Sequence, residues 1–144
     1  MAIKAKLNFR KPFSILIMTL ILLTATCELI AQEKTTELKD FNVIIEKSDN
    51  GIKMKSEKGS AWIDLCFSLK NFKPQAVDEY GITELENISE NKDENIANFL
   101  FMITKTENGI ELNGIEGTAW TELKFFLVKN KKQAINQFGM TSLN

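Results

Sequence analysis

The chain contains an internal duplication, and this feature constrains its fold more than any other. Residues 41–86 align without a gap on residues 99–144, and 18 of the 46 aligned positions are identical. Unrelated segments of that length would share roughly three. A unit this small buries too little surface to be stable alone. We therefore expect two copies packed in pseudo-twofold fashion, each covering the apolar face of the other, as in an isologous dimer.

Each copy has the sequence pattern of a three-stranded antiparallel meander. In repeat 1, apolar and polar residues alternate in residues 41–46, which predicts a first strand. Asn50 and Gly51 follow, a pair that is typical of a type I′ hairpin turn. Gly59 then indicates a second turn, and the apolar residues two apart within residues 61–69 predict a third strand. The aligned residues of repeat 2 predict the same elements.

The end of each copy predicts a short helix. In residues 75–82, the side chains of Ala76, Val77 and Tyr80 would share one helical face. Gly81 suits the left-handed position that follows a helix. The expected fold class is therefore α+β, with two tandem β-β-β-α repeats, each a three-stranded meander plus a short helix. Repeat 1 spans 41–86, a polar linker spans 87–98, and repeat 2 spans 99–144.

The N-terminus predicts export. Basic residues precede the mostly apolar segment 13–25, which has the length of a signal-peptide core and is shorter than the ~20 residues that span a bilayer. A cut after Ala31 would leave a signal peptide of residues 1–31 and a polar lead-in of residues 32–40. Two alternatives stay open: an uncleaved N-terminal anchor, and lipidation of Cys27, whose flanking residues match a lipobox poorly. The expected location is periplasmic, cell-envelope or extracellular.

Composition argues against several function classes. Removing residues 1–31 leaves 14 basic and 18 acidic residues, a net charge of −4, which disfavours nucleic-acid binding. The chain has no histidine, which excludes Ser-His-Asp and Cys-His catalysis and the commonest zinc ligand sets. We expect no metal, no cofactor and no catalytic residue, and Cys66 would be a bystander. The recurring acids Asp64 and Glu122 leave a carboxylate-dependent hydrolase or lyase as an alternative, although acids on strands are usually solvent-facing.

Two groups of side chains are candidates for binding a ligand or partner. An Ala-Trp pair recurs, and strand parity places its tryptophan opposite the apolar face of the third strand. It is either a small structural cluster or an exposed aromatic platform. The second group is the outer face of repeat 2, which is more apolar than that of repeat 1. Either the rest of the chain covers this face, or it binds a protein partner or a second copy. The candidates are Trp62, Trp120, Leu100, Met102, Phe126 and Val128.

The sequence GTAWTELKFFLVKNKKQAINQFGMTSL combines a Gly-Thr-Ala-Trp turn, a Leu-x-Phe strand, Gln-Ala-Ile and Phe-Gly-Met-Thr. It resembles a repeat unit of short, uncharacterised bacterial proteins. Residues 99–144 match it closely, and residues 41–86 match it with Ile82 in place of the methionine. The resemblance implies no activity. We expect an exported, small, non-enzymatic binding or interaction protein of unknown ligand. The alternatives are a lipid-anchored envelope structural protein and a small carboxylate-dependent hydrolase or lyase. Membrane contact would come only from the signal peptide or a lipid anchor.

Overall fold

A computed structural model describes residues 37–87 and 92–144. The signal peptide, Cys27 and most of the lead-in lie outside these residues. Leu38–Asn144 forms one compact unit. It contains a single-turn 3-10 helix at Leu85–Asn87 and strands β1 (Asn42–Lys47), β2 (Gly51–Lys58), β3 (Asp64–Ser68), β4 (Pro74–Asp78), β5 (Gly81–Thr83), β6 (Leu100–Lys105), β7 (Gly109–Glu116), β8 (Glu122–Phe126), β9 (Lys132–Asn136) and β10 (Gly139–Thr141).

The strands form two five-stranded antiparallel sheets, in the orders β10-β9-β1-β2-β3 and β5-β4-β6-β7-β8. Each sheet therefore combines the three-stranded meander of one repeat with the terminal hairpin of the other. In the first sheet, Val43 of repeat 1 lies opposite Ile135 of repeat 2. In the second, Val77 of repeat 1 lies opposite Phe101 of repeat 2. The two repeats are interlocked by this exchange of hairpins.

The predicted α+β fold class is wrong, because the residues expected to form a helix form a β-hairpin. Residues 75–82 contribute to β4 and β5, and the aligned residues of repeat 2 contribute to β9 and β10. Ala76 and Val77 are both buried, and because they are adjacent in a strand they point to opposite faces. A strand buried on both faces lacks the alternating pattern of a surface strand, and this one was mistaken for a helical face.

The turn of that hairpin explains Gly81, which was predicted to follow the end of a helix. The carboxylate Oδ1 of Asp78 accepts hydrogen bonds from the backbone N–H groups of Tyr80 at 2.8 Å and Gly81 at 3.0 Å. An aspartate side chain commonly closes a turn in this way. Gly81 has a φ of 128°, which a residue with a Cβ rarely adopts. Asp and Gly therefore encode a tight reversal between two strands.

The Asn-Gly pair also has a different role from the predicted one. The β1–β2 hairpin is present, and the Ser48 N–H donates to the Gly51 carbonyl at 3.0 Å. However, neither Asn50 nor Gly51 has a positive φ, so a type I′ turn at this pair is excluded. A Cβ on Gly51 would overlap the backbone carbonyl of Phe67 on β3. Glycine is required here because two strands approach closely.

In the part of the chain that the structure describes, buried side chains of both sheets form one hydrophobic core. Where the repeats meet, the rings of Phe41 and Phe99 lie 4.5 Å apart between centroids. Each of these residues is also bonded to the hairpin of the other repeat. The Phe41 N–H donates to Gln137 Oε1, and the Phe99 N–H donates to Glu79 Oε2, both at 3.2 Å. Among residues 37–87 and 92–144, no helix has the length and apolar composition that a membrane span requires.

Candidate functional site

The exposed apolar residues Phe126 and Val128 lie at one end of the two-sheet structure. Phe126 ends β8 and is 87% exposed, and Val128 is 63% exposed, whereas Leu127 between them is buried in the core. The buried Leu127 fixes the backbone so that its two neighbours face solvent. Repeat 1 has Ser68 and Lys70 at the aligned positions. The fold therefore does not require apolar side chains at these two sites.

A cavity of about 550 Å³ lies next to these residues. The β1–β2 turn contributes Ser48 and Asp49 to its wall, and the β6–β7 turn contributes Glu107 and Asn108. Both repeats therefore build it. We call it the lysine pocket, and its remaining lining residues are Lys47, Asn71, Lys105, Phe126, Leu127, Val128 and Lys129.

Two lysines of the lysine pocket connect the two turns. Lys47, at the end of β1, donates through Nζ to the carbonyls of Thr106 at 2.8 Å and Glu107 at 2.7 Å. Lys105, at the aligned end of β6, donates through Nζ to the Asp49 carbonyl at 3.0 Å. Each lysine thus binds the turn of the other repeat. Lys105 is only 4% exposed, which is unusual for this side chain.

The electrostatics of the lysine pocket favour negative charge. Burial is the main cause that lowers the pKa of Lys47, the nearby Lys105 ammonium lowers it further, and the Glu107 carboxylate opposes the shift only in part. Lys129 forms an ion pair with Asp49. Among the described residues, neither Lys47 nor Lys105 forms an ion pair with a carboxylate, and both are bonded to backbone carbonyls instead. Their positive charges are therefore incompletely compensated.

The other side of Phe126 borders a smaller cavity of about 190 Å³. Its wall includes Ile110, Glu111, Lys124 and Phe125. Lys124 itself is paired with Glu122 at 2.9 Å and Glu111 at 3.5 Å. Phe126 therefore stands between an apolar depression and the charged lysine pocket.

The structure places both tryptophans against the core. Trp120 is 8% exposed, and its ring lies 6.0 Å from that of Phe101. Trp62 is half-buried against the same core. Each indole N–H donates to a backbone carbonyl of a terminal hairpin, Trp62 to Asp78 and Trp120 to Asn136, both at 3.0 Å. The parity argument that put Trp62 on the opposite face was wrong, because β3 begins only at Asp64.

The other predicted positions are dispersed. Leu100 is buried and Met102 is half-buried, so this chain already covers half of the apolar outer face expected for repeat 2. Asp64 lies on β3 of one sheet and Glu122 on β8 of the other, and both are exposed. They are not assembled as an acid–base pair. Cys66 is exposed and unpaired.

Within residues 37–87 and 92–144, no group of three or more Cys, Asp or Glu side chains is arranged to hold a metal ion. Cys27 lies outside the described residues, so its lipidation stays a prediction. Binding at the six candidate residues also stays a prediction, although the tryptophans offer little surface for it.

Sequence reasoning did not identify Lys47 and Lys105 as site residues. A signal was present, because lysine is retained at this aligned position in both repeats, which differ at 28 of their 46 aligned positions. A lysine at the end of a strand is ordinarily solvent-exposed. The hairpin turns that bury Lys105 and partly cover Lys47 are brought together by the packing of one repeat on the other.

A comparison with models of protein families found no match to the chain, and no curated protein or solved structure matches it. The resemblance of the repeat motif to short bacterial proteins therefore stays a prediction, and the site must be interpreted from its own chemistry.

Proposed function

We propose that this chain is an exported, non-enzymatic binding protein whose binding surface is the end of the fold around Phe126 and Val128. The observation that carries the proposal is the exposure of these two side chains at the rim of a cavity. Exposed apolar surface beside a cavity commonly marks a binding site. Repeat 1 supports the interpretation, since Ser68 and Lys70 fill the same positions in an equivalent backbone.

The surface suits recognition because it is held by regular structure. β8 is paired with β7 along its length, and Leu127 anchors the following residues in the core. A backbone that is already ordered loses little conformational freedom on binding, so the main ordering cost is that of the side chain. Phe126 can therefore act as an anchor for a ligand, a protein partner or a second copy of the chain.

The alternatives have less support. A carboxylate-dependent hydrolase would need two acids beside one substrate, whereas Asp64 and Glu122 are exposed on different sheets. A lipid-anchored structural protein depends on Cys27, and fatty-acid labelling of the wild type and a Cys27→Ala variant would test it. Export depends on the N-terminal segment, and the mass of the mature protein would locate the cleavage site.

The proposal is tested by exchanging residues between repeats. Phe126→Ser introduces the residue that repeat 1 carries at the aligned position. Ile63→Thr is the matched control, because Ile63 is also an exposed apolar residue and repeat 2 carries threonine there. Immobilised wild type and variants would be exposed to envelope and culture-medium extracts of the producing cell, and bound molecules identified by mass spectrometry.

We expect a molecule that wild type and Ile63→Thr retain and Phe126→Ser loses. Light scattering on the same samples detects self-association, which Phe126→Ser should also abolish if the partner is a second copy. Both substitutions lie at the surface, so the free energy of unfolding, followed by thermal denaturation, should change by less than about 0.5 kcal/mol. Equal retention by all three proteins, or no retention and no self-association, would remove the basis of the proposal.

A further inference from the structure

Within the described residues, Lys47 and Lys105 of the lysine pocket have more N–H donors than the hydrogen bonds they make to protein. An ammonium group has three N–H donors. Lys47 uses two of them on backbone carbonyls and Lys105 uses one. Three N–H groups are therefore available to an acceptor that the described chain does not provide. This matters most for Lys105, because a buried charge with a single neutral partner is costly.

The charge in the pocket has the same implication. Among the described residues that line the pocket, Lys47, Lys105 and Lys129 are accompanied by two carboxylates, those of Asp49 and Glu107. Asp49 is engaged by Lys129, which leaves the Glu107 carboxylate to offset the charges of Lys47 and Lys105, which repel each other. An anion placed against both ammonium groups would relieve their repulsion and accept their remaining N–H bonds.

The rim of the pocket is apolar on one side only. Phe126 and Val128 border it and are largely exposed. A purely inorganic anion would leave this surface in water. A volume of about 550 Å³ lies within the range of pockets that hold small organic molecules. The combination fits a molecule with a negative head and an apolar body.

We propose that the lysine pocket binds a small amphiphilic carboxylate. Its carboxylate accepts hydrogen bonds from Lys47 and Lys105, and its apolar portion covers Phe126 and Val128. This inference rests on the proposed binding function and names the ligand class. It is a proposal about recognition alone and includes no reaction.

The test uses octanoate as the probe, with acetate and octanol as its two halves. Calorimetry on the purified protein would give the dissociation constant of each compound. Changes in the amide NMR chemical shifts of the wild type on addition of octanoate would show which residues surround the bound molecule. The variants are Lys47→Met, which removes an ammonium group, and Phe126→Ser, which removes the apolar contact. Lys53→Met is the control, because Lys53 is an exposed lysine on the outer face of the first sheet.

We expect octanoate to bind at least about tenfold more tightly than acetate or octanol, as loss of one charge-assisted contact implies. Lys47→Met and Phe126→Ser should each raise the dissociation constant for octanoate by a similar factor, and Lys53→Met should leave it unchanged. If Lys47→Met does not fold, the ligand class is tested by the amide NMR shift changes of the wild type and by the affinity of Phe126→Ser for octanoate. Absence of octanoate binding, shifts away from Lys47 and Lys105, or equal affinity in Phe126→Ser would overturn the ligand class.

The two proposals fail separately. If octanoate does not bind but Phe126→Ser still loses a molecule captured from the cell extracts, the binding surface stands and the amphiphilic carboxylate is rejected. If Phe126→Ser changes neither octanoate binding nor capture, the binding surface is rejected as well.

Discussion

The backbone conformation of the turn between β3 and β4, and of its counterpart between β8 and β9, gives a quantitative prediction. Phe72 and its counterpart Asn130 both have a φ of 61°, in the left-handed region. Their N–H groups make equivalent hydrogen bonds, Phe72 to the Lys105 carbonyl at 2.8 Å and Asn130 to the Lys47 carbonyl at 2.9 Å. The left-handed conformation is unfavourable for most residues and is tolerated by asparagine. Asparagine should therefore be favoured over alanine by the same free energy at both positions.

The magnitude follows from the conformation. A residue with a Cβ pays about 1–2 kcal/mol in the left-handed region, and we expect asparagine to recover about half of it. Phe72→Asn should therefore be about 0.5–1 kcal/mol more stable than Phe72→Ala, since both variants lose the same ring. Asn130→Ala should lose the same amount relative to wild type. For a domain of this size, 1 kcal/mol corresponds to roughly 4–8 °C in the unfolding midpoint.

The assay is urea unfolding followed by tryptophan fluorescence, with the midpoint and slope fitted for the wild type and for each variant. Comparing asparagine with alanine removes the hydrophobic contribution of the Phe72 ring, which is why the direct comparison with wild type is not used. If asparagine and alanine differ by less than about 0.2 kcal/mol at both positions, the reasoning from φ is refuted.

Two further predictions concern residues that differ between the repeats. Burial raises the pKa of the Glu79 carboxyl group above its ordinary value, so the folded state holds this proton more tightly than the unfolded state. The stability that the proton provides is present at low pH and is lost as pH rises through the raised pKa. Glu79→Gln, which copies Gln137, should raise the unfolding midpoint near neutral pH and have little effect at about pH 3; a constant difference across this range would contradict it. A Cβ on Gly114 would overlap Thr118 Oγ1 and the Trp120 carbonyl, so Gly114→Ser should cost about 1–3 kcal/mol. Chemical unfolding checks this, and an unchanged midpoint would refute it.

The sequence predicted the elements whose pattern lies within a few neighbouring residues. The meander strands followed from alternation and from glycines, and the turn at Gly59 has the positive φ expected of a glycine turn. The terminal hairpin was missed for two reasons. Ala76 and Val77 are buried on opposite faces, so alternation was absent. The segment was also short, and a length of eight residues fits a strand pair as well as a helix.

The exchange of hairpins could not be derived from the sequence. Val43 and Ile135 are separated by 92 positions, and an apolar strand in either repeat would pair equally well with its own hairpin. Because the repeats are alike, their sequence patterns do not distinguish the two pairings. The choice between the two pairings is seen only in the complete fold, where β1 pairs with β9 and β6 pairs with β4.

The candidate site was predictable in part. Phe126 and Val128 were selected because repeat 1 has polar residues there, and the structure leaves both exposed. Leu100 and Met102 came from the same comparison but are covered by the chain. Parity identifies a face of a strand, whereas the neighbours that cover the face come from distant segments. The lysine pocket depends entirely on such neighbours.

The central claim is that each repeat completes the sheet of the other. The most direct test is the set of backbone nuclear Overhauser effects of Ile44 on β1. The interlocked fold places Ile44 opposite Ala134 of repeat 2, and it places Ala76 opposite Met102. Cross-strand signals between Ile44 and Ala134 are predicted. Signals between Ile44 and Ala76 would mean that each repeat keeps its own hairpin, which would contradict the interlocked fold.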